Sequence, residues 1–181
     1  MMSDFIKDLE YSLGERQRVD CELLQRVIPN CIGVEKTNAE LDKRGIDYIA
    51  KLDGGATINI DAKARRKGAV KQGDEPRLAL ELWSVCPDRK NGKEGKVGWT
   101  CSRETDVDMI LYTFDKEECD KFYLVPFQHL RMAFQSKYPT WKQKYPARIQ
   151  HNKTWCSKAM FVPASEVISA ITEQMAGMIS T

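Results

Sequence analysis

The 181 residues are 42% hydrophobic and 30% charged, enough to bury one core and cramped for two independent domains. A net charge of +2 excludes a strongly basic, histone-like binder but leaves room for a local positive patch. No apolar run approaches the ~20 residues of a membrane span, and the N-terminus is too polar for a secretory signal, so a soluble cytoplasmic protein with no membrane partner is expected.

Along the chain, Phe5, Ile6, Leu9, Leu13, Val19, Leu23, Leu24, Val27 and Ile28 recur at helical spacing and predict a helix over 3–28, stopped by Pro29-Asn30. A polar link leads to the run 46–52 and, after Asp53-Gly54-Gly55, to 57–65. Two alternating, β-branched runs about an Asp-Gly turn predict a hairpin. A third strand fits 77–85, reached through a charged surface loop over 66–76, and 87–98 has the same loop character. Extended segments follow at 108–114 and 121–127, then a helix beginning over 130–134 and a Tyr/Trp/Lys-rich run over 138–145. A short strand at 159–162 and an amphipathic helix over 165–179, with Ser165 as N-cap, close the chain. There is no internal repeat and no low-complexity tail. The order implies one α/β (α+β) domain over 1–181, a central mixed or mostly antiparallel sheet flanked by helices, with its core motifs within 10–85 and an elaboration over 86–181.

Six scattered cysteines, with no CxxC pair, read as reduced structural thiols. With His129 and His151 the only histidines, a His-centred hydrolase or His-rich metal site has little support.

Chemistry concentrates in the hairpin. Alternation over 58–65 sets Asn59, Asp61, Lys63 and Arg65 on one face and Ile58, Ile60, Ala62 and Ala64 on the other. A plain surface strand would show the same pattern, and Asp61 and Lys63 also suit an exposed ion pair. The preceding strand, however, carries its own Asp47. Carboxylates on neighbouring strands suit Mg²⁺, a hard cation that takes oxygen ligands and keeps several waters. A lysine beside it can orient an attacking water and offset transition-state charge.

Asp47 and, after the turn, Asp61-Ala62-Lys63 resemble the Asp…(Asp/Glu)-x-Lys signature of PD-(D/E)XK nucleases, with fourteen positions between the acids. No Pro precedes Asp47, and the second acid is Asp where Glu is commoner. The resemblance implies a helix, a three-stranded meander, a crossover helix and a further strand. It also implies a Mg²⁺ or Mn²⁺ site made by Asp47, Asp61 and the Ala62 carbonyl, with Lys63 catalytic. The nearest branch is that of the archaeal Holliday-junction resolvases, whose first helix supplies a Glu in a Glu-Arg pair; Gly14-Glu15-Arg16 stands at a similar place, so Glu15 is a further candidate ligand and catalytic residue, with Asp20 or Glu22 as alternatives. Glu81 suits either an extra acid or a pairing with Lys63 or Arg65, while Asp106 and Asp108 read first as structural residues before a strand.

The expected function is a metal-dependent endonuclease or resolvase-like phosphodiesterase acting on DNA, with homodimerisation compatible with two-strand cleavage. Arg65, Arg66, Lys67 and Lys71 form a basic cluster suited to phosphates, and the run 137–148 interleaves aromatics with cations. The alternative is a catalytically silent module of the same fold that binds nucleic acid or a protein partner, such as a phage-type interference factor.

Overall fold

A computed structural model describes residues 15–65, 68–71, 73–88, 92, 94–102, 105–115, 121–151 and 155–179; over 15–19 and 178–179 the description is of backbone alone. The chain is of the α+β class. It divides into two compact units: residues 1–62 with 106–111, and residues 63–105 with 112–181.

The first unit opens with helix α1 (Glu15–Val27), followed by strand β1 (Cys31–Lys36), a short helix α2 (Ala39–Lys43), β2 (Tyr48–Leu52) and β3 (Thr57–Ala64), which continues into the second unit. The hairpin forms where alternation and turn chemistry predict it. Tyr48 pairs with Ile60 and Lys51 with Thr57 in antiparallel register, and Gly54 and Gly55 supply the positive φ the turn requires (93° and 88°). On its other side β2 pairs antiparallel with β1, through Val34 opposite Ala50 and Lys36 opposite Tyr48. The third strand of the meander is therefore Cys31–Lys36, not the expected 77–85. Strand β6 (Met109–Thr113) lies next to β3. Asp108 N–H donates to Asn59 O and Arg65 N–H to Thr113 O, both at 2.9 Å, an ascending pattern that makes this pair parallel and the sheet mixed.

The hairpin has one apolar face. Tyr48, Ala50 and Ile60 are buried there, α1 packs against β1 and β2, and Leu24 in α1 and Ile28 just past its end are buried as well. One polar contact is built into this interface: Tyr48 Oη donates to the buried Asp20 carboxylate at 3.0 Å. A bond to a buried charged group contributes about 1.5–3 kcal/mol. Tyr48→Phe is accordingly expected to lower the urea-unfolding free energy by about 2 kcal/mol without changing the far-UV spectrum.

The second unit holds an antiparallel sheet in the order β5-β4-β9-β8, made of Lys96–Val97, Arg77–Val85, Cys156–Pro163 and Arg148–His151. The strand expected at 77–85 thus exists but belongs to this sheet, where Leu78 lies opposite Val162 and Leu80 opposite Met160, all four fully buried. Strand β7 (Phe122–Pro126) runs into helix α3 (Phe127–Lys144), which packs against the last helix, α4 (Ala164–Ile179). The basic, aromatic run is mostly helix. Phe134, Tyr138 and Trp141 form a stripe at helical spacing, with centroids 5.4 Å (134 to 138) and 6.4 Å (134 to 141) apart. Lys137 and Lys144 are spent on Glu173 and Glu166 of α4. Among the described residues, no helix lies between β3 and β6, where the family resemblance implies a crossover helix, and no helix is long and apolar enough to cross a membrane.

Candidate metal site on the hairpin

Asp47 is delivered to β3 by a cap that the local sequence dictates. Asn38 Oδ1 accepts from Glu40 and Leu41 N–H, both at 3.1 Å, which starts α2. The helix ends in a Schellman motif: Ile46 N–H donates to Leu41 O (3.1 Å) and Gly45 N–H to Asp42 O (2.9 Å), with Gly45 at φ 83° and Ile46 buried against the core. Two residues past this turn, Asp47 meets β3 on either side of Asp61. Its N–H donates to Ile60 O at 2.8 Å, and its Oδ2 accepts from Ala62 N–H at 2.7 Å.

The two acids the hairpin joins are in contact through their side chains. Burial pushes the Asp47 carboxyl above the ordinary carboxylate range; the Ala62 N–H and a hydrogen bond with Asp42 oppose the rise, and the neighbouring Asp61 adds to it. Asp61 itself is only 4% exposed. Asp42 is the part of this arrangement that sequence reading missed, although the Asn38…Gly45 cap spacing marks the helix that carries it.

A raised carboxyl pKa has a definite sign in stability. The folded chain holds the Asp47 proton more tightly than the unfolded chain, so the contribution of this group is complete below the ordinary value of 3.8 and is lost as pH rises through the raised value. In EDTA, Asp47→Asn, which keeps an acceptor for Ala62 N–H, is expected to gain melting temperature relative to wild type as pH rises from 3.8 toward neutrality. Cation binding, which requires the carboxylate, is expected to strengthen over the same interval.

The other candidates fall in several places. Glu15 begins α1, and its side chain lies outside the described residues, as do Arg66 and Lys67. Asp20 is engaged with Tyr48, whose cross-strand partner is Ile60. Asp61, the next residue along, leaves β3 on the opposite face, so Asp20 is not brought to it. Glu22 is exposed on α1. Lys63 belongs to the second unit, where its Nζ lies 5.9 Å from the Trp99 ring centroid. In that unit Lys71 is exposed, and Glu81 Oε2 accepts from Ser84 Oγ at 2.6 Å. Asp106 and Asp108 are structural: Asp106 pairs with Arg44 while its carbonyl accepts from Asn59 Nδ2, and Asp108 Oδ2 accepts from Asn59 N–H at 2.8 Å.

Among the described residues no group of three His, Cys, Asp or Glu side chains gathers as a metal cage. The donor set is instead two adjacent carboxylates, one buried and one desolvated, beside a strand backbone. That set fits Mg²⁺ or Mn²⁺, which need only one or two protein carboxylates and fill the remaining positions with water or substrate oxygens. It does not fit zinc, for which Cys or His ligands are expected.

Compared with protein-family models, curated proteins and solved structures, the chain matches none.

Proposed function

We propose that the chain is a Mg²⁺- or Mn²⁺-dependent phosphodiesterase that cleaves DNA. The observation that carries this reading is the Asp47–Asp61 pair: acids fourteen positions apart, joined by a hairpin, with their carboxyls in contact and Asp61 buried. Two such acids held together have an electrostatic cost that a divalent cation relieves. The order of helix, antiparallel meander and a further strand parallel to β3 supports a PD-(D/E)XK-like core around them.

In this reading Asp47 and Asp61 would hold the cation, and the Ala62 carbonyl and water would supply further oxygen ligands. The bound cation supplies Lewis acidity to the scissile phosphate and lowers the pKa of a water nucleophile. The Ala62 N–H fixes the Asp47 carboxylate so that one lone-pair direction is already satisfied. Lys63, which enters on its spacing from Asp61 along the chain, orients the attacking water, and Glu15 assists from α1. The basic cluster Arg65, Arg66, Lys67 and Lys71, which follows β3 in the chain, enters as the group that would neutralise backbone phosphates.

The test is incubation of the purified chain with duplex, single-stranded and four-way-junction DNA in EDTA, then with Mg²⁺ or Mn²⁺ restored. Cleavage of at least one substrate only when metal is present is the expected result; intact DNA in every metal-containing arm overturns the enzymatic reading. That no three side chains among the described residues are arranged as a metal cage favours the silent-module alternative, which predicts metal-independent binding with no product.

A further inference from the structure

The second unit presents a sheet face on which cations collect without carboxylate partners. On β9, Phe161 lies opposite Ala79, Pro163 opposite Arg77, and Ala159 opposite both Glu81 and Arg148, so these side chains leave the sheet on one side. The Arg65 guanidinium lies 4.8 Å from the Phe161 ring centroid and that of Arg148 5.8 Å from the same centroid, while the Arg77 guanidinium lies 5.9 Å from the Tyr145 ring. Among the described residues Arg44, Lys51, Lys137 and Lys144 have carboxylate partners. Arg65, Arg77 and Arg148 have none, and the buried Arg65 Nε has no hydrogen-bond acceptor.

Two guanidinium groups against one ring repel each other. Cation–π attraction offsets part of this, about 0.5–1 kcal/mol at exposed sites. An anion between them would remove the repulsion. The arrangement is also extended: the partners of Arg77 and Arg148 on β9, Pro163 and Ala159, are four residues apart, which spans about 13 Å of strand. A single compact phosphate cannot bridge that span, whereas a chain of phosphates can. Glu81 is the one acid on this row, opposite Ala159 and bonded to Ser84.

We propose that this face binds the phosphodiester backbone of a nucleic acid through Arg65, Arg77 and Arg148, with the guanidinium planes on Phe161 also available to stack bases. The inference goes beyond the metal site and does not depend on it.

The test is fluorescence anisotropy of the full chain in EDTA with labelled single-stranded and duplex DNA at several salt concentrations. Wild type is expected to bind at least one form. Arg77→Ala/Arg148→Ala, both at exposed positions, should weaken that binding by at least about 10-fold and reduce the salt slope by about two. Arg77→Lys/Arg148→Lys should keep the slope and most of the affinity. The form whose binding is lost is the one the face takes. A double alanine variant that melts like wild type and binds both forms as tightly overturns the proposal, as does a wild-type chain that binds neither form. Because EDTA removes divalent cations, failure of the metal site leaves this outcome unaffected.

Discussion

Asp61→Asn is expected to reduce metal-dependent cleavage by about 10³-fold or more while melting at or slightly above the wild-type temperature. The two effects separate because Asp61 is buried beside another acid. Asn has nearly the same shape and can still hydrogen-bond with Asp47, so packing is kept. The substitution removes one of two neighbouring like charges, whose cross-strand cost is about 0.2–1 kcal/mol. It also removes an anionic ligand; losing ~4 kcal/mol of transition-state stabilisation corresponds to about 10³ in rate. A residue kept for structure shows the reverse pattern, a lower melting temperature with cleavage unchanged. The comparison needs only a melting curve and a cleavage time course on the same two preparations.

The largest stability effect is expected at Gly98, not in the hairpin. A Cβ at Gly98 would lie 2.3 Å from the Glu81 carbonyl oxygen and 2.8 Å from the Leu82 carbonyl carbon, both backbone atoms that cannot rotate away. Gly98 N–H also donates to Leu82 O at 3.0 Å, so the close approach is part of how this segment is held to β4. Relief requires moving β4, on which Leu78 and Leu80 are fully buried. Gly98→Ala should therefore cost about 3 kcal/mol, or some 6–12 °C in melting temperature for a chain of this size. Gly177 provides the contrast: it lies in α4 with open space around its added Cβ, and Gly177→Ala should stabilise the helix by about 0.5–1 kcal/mol. Equal melting temperatures for Gly98→Ala and wild type would contradict the tight approach of residue 98 to β4.

Local signals carried the hairpin. Asp53-Gly54-Gly55 between two alternating runs specifies the turn, and a turn at that point brings residues 47 and 61 together whatever else the fold does. What surrounds it was not legible for identifiable reasons. Strand β1 holds Gly33 and an Ile32 that is 65% exposed, so its alternation carries no burial signal. Helix α2 spans only five residues, and its existence rests on the caps at Asn38 and Gly45 rather than on periodicity. In α3, Pro139 interrupts a pattern that tertiary packing of Phe134, Tyr138 and Trp141 nevertheless holds in helix. Strand β4 is readable as a strand because Leu78 and Leu80 alternate, but alternation does not name a neighbour. Its partner β9 lies some eighty residues away, and nothing local distinguishes that pairing from one with the hairpin. The cation row at Arg65, Arg77 and Arg148 is hidden for the same reason, since its members come from separate segments, Arg77 and Arg148 joined by register and Arg65 by its contact with Phe161.

Calorimetric titration of the EDTA-stripped chain with Mn²⁺ at neutral pH, beside Asp47→Asn and Asp61→Asn, tests the metal site most directly. Saturable binding at millimolar or lower concentration in wild type, weakened at least tenfold in each variant, is the expected result. Binding of equal strength in all three proteins, or none in wild type, would contradict a cation held between Asp47 and Asp61.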